Sequence, residues 1–322
     1  MGLFRPEPKI EPLRIYIASD LHGSTVCFKK VLNASEVYGA DAVLIAGDLT
    51  GKMVVPIVEK DGRFVSLLHG QQHVLDASEI ADHEAVIDSA GLYPYRTTEE
   101  ELELLRSDQH QLDAIFHSLV LERVEQWMEL GESRLRGTGT TCFLIAGNDD
   151  YPEIDALLRQ GESLRFIDGS VSRIDDHHEV AGLGVSNKTP WDAPRDISEG
   201  EIADRLEALL GDLEDPERSV LMVHVPPRDT MLDLAPELDG ELRPTGGGDN
   251  MINVGSSSVR AAIERHQPLL TVHGHLHESR GLDKIGRSIC VNPGSEYSQG
   301  ILRGALVNVS PSRVEGHLFV SG

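Results

Sequence analysis

Five short segments combine residue types that bind metal ions. They are Asp20-Leu21-His22, Gly47-Asp48, Gly147-Asn148-Asp149-Asp150, His224, and His273-Gly274-His275-Leu276-His277. They offer carboxylate, amide and imidazole donors and no thiolate. Such donors suit borderline-hard divalent ions such as Mn, Fe or Zn. Asp20, His22, Asp48, Asn148, His224, His275 and His277 are enough for two of them. Asp20-x-His22 and His275-x-His277 can each place both side chains on one side of an extended segment. Gly47, Gly147 and Gly274 each precede a proposed donor, where glycine permits a sharp turn or a close backbone approach. A lone D-x-H or G-D means little. The weight comes from all five standing in equivalent places.

Those places are the ends of apolar runs. LRIYIA (Leu13–Ala18) leads into Asp20, AVLIA (Ala42–Ala46) into Asp48, and residues 141–146 into Asn148; 219–223 end at His224 and 268–272 at His273. Each run is strand length and continuous rather than alternating, which reads as a strand buried on both faces. Helical patterns follow at about 24–38, 152–160, 199–210 and 256–265. This alternation argues for an α/β fold, and ligand sites in such sheets form outside the carboxyl ends of the strands. Closely spaced runs at 180–185, 288–291, 305–309 and 314–319 predict further strands, so the sheets are mixed.

With these residues in order, the sequence resembles the calcineurin-like metallophosphoesterases. The resemblance spans nearly the whole chain outside residues 51–140. The run Asn292-Pro293-Gly294-Ser295-Glu296-Tyr297, with Gly147-Asn148-Asp149-Asp150, is similar to an Icc-related predicted phosphoesterase subgroup. The resemblance implies two mixed β-sheets packed as a sandwich and flanked by helices. It implies Asp20, His22 and His277 on one metal, Asn148, His224 and His275 on the other, and Asp48 between them. Catalytic roles fall on Asp48, Asn148, Asp149 and His224. The implied reaction is in-line attack of a metal-bridging hydroxide on a small phosphodiester or phosphomonoester. A non-catalytic metal-binding or scaffold protein on the same fold is the alternative, which retention of all seven donors disfavours.

One position departs from the family pattern. Asp149 stands where the family usually has a histidine that faces the phosphate and is often assigned as proton donor. With two ions and two ligand carboxylates the centre carries about +2, and ionised Asp149 and Asp150 nearby would cancel it. Asp149 is therefore expected to be protonated or, preferably, to point away from the phosphate. Asp150 is expected to orient a ligand histidine. Asn187, Lys188, Arg228 and Arg280 are weaker candidates for substrate contact, placed by their nearness to strand ends. His273 reads as a strand-end structural residue. His69, His73, His110 and His117 read as solvated or core histidines.

Residues 51–140 interrupt the pattern of the 1–322 domain. Two apolar runs flank Lys60-Asp61-Gly62, a hairpin signature. Thr98-x-x-Glu101 is a capping box opening a helical block, with a break expected near 107–110 or at Gly131. This insertion could pack on the surface or cap the site.

Composition narrows the setting. The 322 residues carry a net charge of −24, which argues against extended nucleic acid and anionic membranes as partners. Cys27, Cys142 and Cys290 form no CxxC pair and read as buried apolar residues. The N-terminus lacks a signal-peptide core and a myristoylation pattern, and no apolar run reaches ~18 residues. A reducing, cytoplasmic setting is expected. Gly47 to Met53 resembles a P-loop but has the wrong spacing and no Ser or Thr after Lys52; Gly246-Gly247-Gly248 lacks dinucleotide-loop spacing. No G-x-S-x-G occurs.

Overall fold

Two six-stranded sheets lie face to face in the computed structural model, which describes residues 11–322. The leader and acylation patterns weighed for residues 1–10 lie outside the described residues. The first sheet runs in the order Arg313–Ser321, Arg303–Ser310, Leu13–Ala18, Ala42–Ala46, Thr141–Ile145, Leu164–Phe166. The second runs Gly281–Ile285, Ser288–Asn292, Leu270–Val272, Val220–Val223, Glu179–Leu183, Ser170–Arg173. In each sheet four neighbouring strands are parallel and the remaining strands antiparallel.

The continuous apolar runs follow from burial on both faces. Alternate residues Ile15, Ile17, Leu44 and Phe143 pack against Val220, Met222 and Val272 of the second sheet. Their neighbours Tyr16, Val43 and Leu144 turn outward onto a helical layer containing Phe28, Val31 and Trp127. On the far side, Leu183, Leu221 and Val223 meet Ile202, Leu206 and Ile263 from the helices Glu199–Gly211 and Ser257–His266. The result is the expected α/β class, a sandwich of two mixed sheets flanked by helices. All three cysteines are buried and free. No helix among the described residues is long and apolar enough to cross a membrane.

Several boundaries differ from expectation. The first helical pattern is two helices, Thr25–Leu32 and Ala34–Tyr38. The pattern at 152–160 shortens to a 3-10 turn, Pro152–Ile154, and the helix Asp155–Leu158. In the insertion, Val54–Lys60 and Arg63–Leu68 form the hairpin, with Asp61 and Gly62 at φ 50° and 74° as a primed turn requires. Two further strands, Gln71–Leu75 and Tyr93–Thr98, complete a four-stranded sheet under the helix Ile80–Ser89. The helical break falls at Asp108, whose side chain caps Gln109–Leu135. That helix continues through Gly131, where a Cβ would come within 2.3 Å of Leu164.

Candidate metal centre

The loops after the central strands converge between the two sheets, and their backbone is unusual. Asp20, His22, Asp48 and His275 have φ of 54°, 41°, 51° and 70°. A left-handed conformation costs a non-glycine residue ~1–2 kcal/mol and persists only where the surroundings enforce it. Here they do. The Asp20 N–H donates to Gly47 O at 2.9 Å, His22 N–H to Asp48 O at 2.9 Å, and Gly23 N–H to Leu49 O at 2.7 Å. Asn292 Nδ2 donates to Gly274 O and Leu276 O, fixing the loop that carries His275 and His277. Ser295 Oγ donates to Asp20 O at 2.7 Å. Gly274 leaves no room for a side chain, since a Cβ would lie 1.8 Å from Ser19 Oγ and 2.6 Å from Asp20 Oδ2.

All seven predicted donors meet there. Asp48 Oδ2 lies 3.4 Å from His22 Nε2 and 3.4 Å from His224 Nε2. On one side His277 Nε2 is 3.0 Å from His22 Nε2 and 3.5 Å from Asp20 Oδ1. On the other, Asn148 Oδ1 is 3.1 Å from His224 Nε2 and 2.9 Å from His275 Nδ1. Ligand atoms of Asp20, His22, Asp48 and His277 all lie within 4.8 Å of one another.

The electrostatics fit a cation. Asp20 and Asp48 are buried, yet both stay ionised. Burial pushes the Asp20 carboxyl up, but the hydrogen bond and charge of His277, with His224, bring it to about 2. Burial likewise opposes Asp48, and His224 and His22 hold it well below the usual carboxylate range. Burial would lower His224, but the Asp48 and Asp20 carboxylates push it up to about 10. Burial lowers His22 to about 3 and His275 to about 4. Burial also opposes a proton on His277, but Asp20 raises it, so protons on His224 and His277 stand where a cation would balance the carboxylates. Asp20 Oδ2 is buried without a hydrogen-bond partner, an acceptor suited to a metal. His22 Nδ1 faces Thr50 O and His224 Nδ1 faces Ala46 O, which turns both Nε2 atoms toward the cluster.

The neighbouring candidates separate. Asp149 lies beside the cluster: its N–H donates to Asp48 Oδ1 at 3.0 Å and its carboxylate pairs with Lys52. Asp150 bonds no histidine, which corrects its expected role. Its carboxylate accepts from the N–H groups of Leu49, Thr50 and Gly147 and from Thr50 Oγ1, clamping the loop that carries Asp48. Burial and the Asp48 charge raise it to about 6 against those hydrogen bonds. His273 is buried beside the cluster, its Nδ1 on Val223 O and its Nε2 on Thr271 Oγ1. Asn187 donates to Val254 O, while Ser186 beside it reaches His275 Nε2 at 3.4 Å.

Three expected substrate contacts face elsewhere. Lys188 pairs with Asp192 on the surface. Arg228 is exposed near Asp229. Arg280 lies over the Phe319 ring and donates to Val320 O. His69 and His110 are exposed, and His73 and His117 make tilted ring contacts with His83 and Tyr151.

Two residues were missed. Lys52 reaches the site through Asp149, and the Tyr297 ring lies 4.6 Å from His22 and 5.7 Å from His277. Both sit in quoted motifs, so the signal was present without a role attached. The insertion touches this region too: Tyr93 OH accepts from Gly51 N–H at 2.9 Å, and Gly91 packs against the His22 carbonyl and Tyr297.

Comparisons with known proteins agree with this geometry. A sequence model described as calcineurin-like phosphoesterase matches residues 13–279. An uncharacterized protein of Methanocaldococcus jannaschii is 38% identical over 153 residues, 46% of this chain. That match spans 62% of the relative's length. One crystal structure, 15% identical, covers 94% of this chain and 98% of its own with a TM-score of 0.54. A protein of Thermus thermophilus, 16% identical, covers 97% and 98% with a TM-score of 0.50. At these identities the two structures attest the fold.

Proposed function

The chain belongs to the calcineurin-like phosphoesterase family, and from that premise we propose that it hydrolyses a small phosphodiester or phosphomonoester with two divalent ions held between its sheets. The observation that carries the proposal is Asp48 Oδ2, set 3.4 Å from His22 Nε2 and 3.4 Å from His224 Nε2. A carboxylate so placed suits a bridge. Asp20, His22, Asp48 and His277 would hold one ion, and Asp48, Asn148, His224 and His275 the other. Oxygen and imidazole donors without sulfur favour Mn, Fe or Zn. Bound there, such ions supply Lewis acidity toward a phosphoryl oxygen and depress the pKa of water. The proposed reaction is in-line displacement at phosphorus: a bond from the oxygen of water to phosphorus forms, the ester P–O bond breaks, and the alcohol leaves carrying a proton from that water, so that phosphate or a phosphomonoester remains.

The chain's own residues prepare the site. Ala46 O and Thr50 O hold the imidazoles of His224 and His22 by Nδ1, so no rotamer search precedes ligation. Asp150 and Asn292 fix the two loop sets from behind. Compact substrates are favoured, because two ions would make an island of about +2 in a strongly acidic chain.

The test is a rate panel on metal-replete protein with Mn, Fe and Zn compared. It spans p-nitrophenyl phosphate, bis-p-nitrophenyl phosphate, cyclic nucleotides and dinucleotide polyphosphates. Hydrolysis of at least one class is expected. Activity on none, at a measured two ions per chain, would move the assignment to a binding protein.

A further inference from the structure

Lys52 brings a positive charge to the edge of the cluster. Its ammonium pairs with the Asp149 carboxylate, and the Asp149 N–H donates to Asp48 Oδ1 at 3.0 Å. The pair is therefore one residue removed from the carboxylate at the middle of the cluster. It is unlike an ordinary surface pair, whose partners are both solvated and which contributes little. The Asp149 side chain is 14% exposed, and that of Lys52 is 48% exposed. One partner is sunk into the site and the other is open to a ligand.

The backbone leading to Lys52 is fixed from two sides. Asp150 holds the N–H groups of Leu49 and Thr50, and Tyr93 OH holds that of Gly51. Gly51 has no space for a side chain, since a Cβ would sit 2.2 Å from Gly91 O. The charge of Lys52 is felt by Asp48, His22, His277 and Tyr297. Burial works against the ammonium, but Asp48 and Asp149 keep it protonated. It can hold an anion by charge and three N–H donors, and it is a poor proton donor. Arg280 does not compete for this role, because it lies over the Phe319 ring and donates to Val320 O.

Charge balance points the same way. An ionised Asp149 alone would cut the field of a loaded centre from about +2 to about +1, and Lys52 restores it. We propose that Lys52 binds a non-bridging oxygen of the substrate phosphate, and that Asp149 is the positioning residue that holds it there. This rests on the phosphoesterase reading and adds the group that grips the phosphate.

The test measures orthophosphate binding by calorimetry on metal-loaded wild type, K52M, K52R, D149N and the double variant, with metal content determined for each. K52M should weaken binding about 10- to 100-fold at unchanged metal content, the range for a charged hydrogen-bond partner. K52R, which keeps the charge, should recover most of the affinity. D149N should fall between, and K52M/D149N should bind no more weakly than K52M, because Asp149 acts through Lys52. The proposal is overturned if K52M binds within twofold of wild type, or if K52M loses its metal. Wild type that holds two ions yet binds no orthophosphate would instead sink the phosphoesterase reading, and this inference with it.

Discussion

The two sheets supply the site unequally. Strand ends of the first sheet provide Asp20, Asp48 and Asn148 with one imidazole, His22; those of the second provide His224, His275 and His277. The oxygen-bearing side carries the negative charge, and three of its four donors have left-handed backbone. The nitrogen-bearing side carries no carboxylate and has one such residue, His275. Contacts run across the seam: His224 to Asp48 at 3.4 Å, His275 to Asn148 at 2.9 Å, His277 to Asp20 at 3.5 Å. Neither sheet holds a complete ligand set. A cation bound here fastens the layers together, and its binding energy becomes folding energy because the unfolded chain lacks the site.

The sharpest way to break this comparison is Asp48→Asn. It removes the charge that lies 3.4 Å from an imidazole of each sheet. Hydrolysis should fall at least ~10³-fold, and metal per chain should drop, as measured by elemental analysis after gel filtration. Two ions per chain with intact turnover would show that Asp48 is no bridge.

Next in size is Phe143→Ala, in the layer between the sheets and remote in type from the metal chemistry. Phe143 is fully buried with Met222 and Val272 in the same cluster. Truncation should cost ~3–5 kcal/mol in urea unfolding. Added metal should recover part of that loss as a rise in Tm, since the ion binds only the folded seam. A Tm unmoved by metal in both wild type and F143A would separate the site from the packing of the sheets.

Much of this was legible because it depends on short-range order. A donor that follows a buried run within a few residues must emerge at the strand end, so the seven candidate donors come together. Continuous apolar runs announced two covered faces. What escaped depends on partners distant in sequence. Asp150 clamps backbone about 100 residues away, which no local spacing reveals. Lys52 lies in a G-D-L-T-G-K run that fails as a P-loop, and only the folded loops set it against Asp149. Arg280 follows a ligand histidine, but Phe319 of the last strand takes its guanidinium. The strands QQHVL and YPYRTT are too polar to read as strands. They form because Arg63–Leu68 and Val54–Lys60 offer them open edges.

A smaller probe tests how closely the sheets approach. Gly274 belongs to the second sheet's loop, yet a Cβ there would strike Ser19 and Asp20 of the first. Gly274→Ala should cost ~1–3 kcal/mol through overpacking and should also weaken metal retention. The control is Gly211→Ala, at the end of a helix with nothing within 4 Å of the new atom. It should leave metal content alone and stabilise by ~0.4–1 kcal/mol. Equal metal loss in both would mean the close approach does not matter.

The mildest probe lies in the outer layers, where each sheet is fastened by one carboxylate. Glu199 accepts from Ser256 Oγ and from the N–H groups of Ser257 and Ser258, at the start of the helix Ser257–His266 behind the second sheet. Glu132, on the insertion's long helix, accepts from the N–H groups of Glu162, Ser163 and Leu164 at the edge of the first. Burial raises both carboxyls, but these donors outweigh it and hold each below the usual range. A carboxyl depressed on folding contributes stability above its unfolded pKa, and loses it as pH falls through the lower folded value. Glu199→Gln should therefore cost ~1 kcal/mol at neutral pH, and the gap to wild type should close as pH drops below about 4. Glu132→Gln should follow the same pH course with a smaller cost, because solvent screens it more. Urea midpoints at several pH values read both, and a gap that widens on acidification would reverse the assigned sign. Equal costs for the two would mean that the layers behind the oxygen-bearing and nitrogen-bearing sheets are fastened alike, leaving the asymmetry of the molecule to the seam.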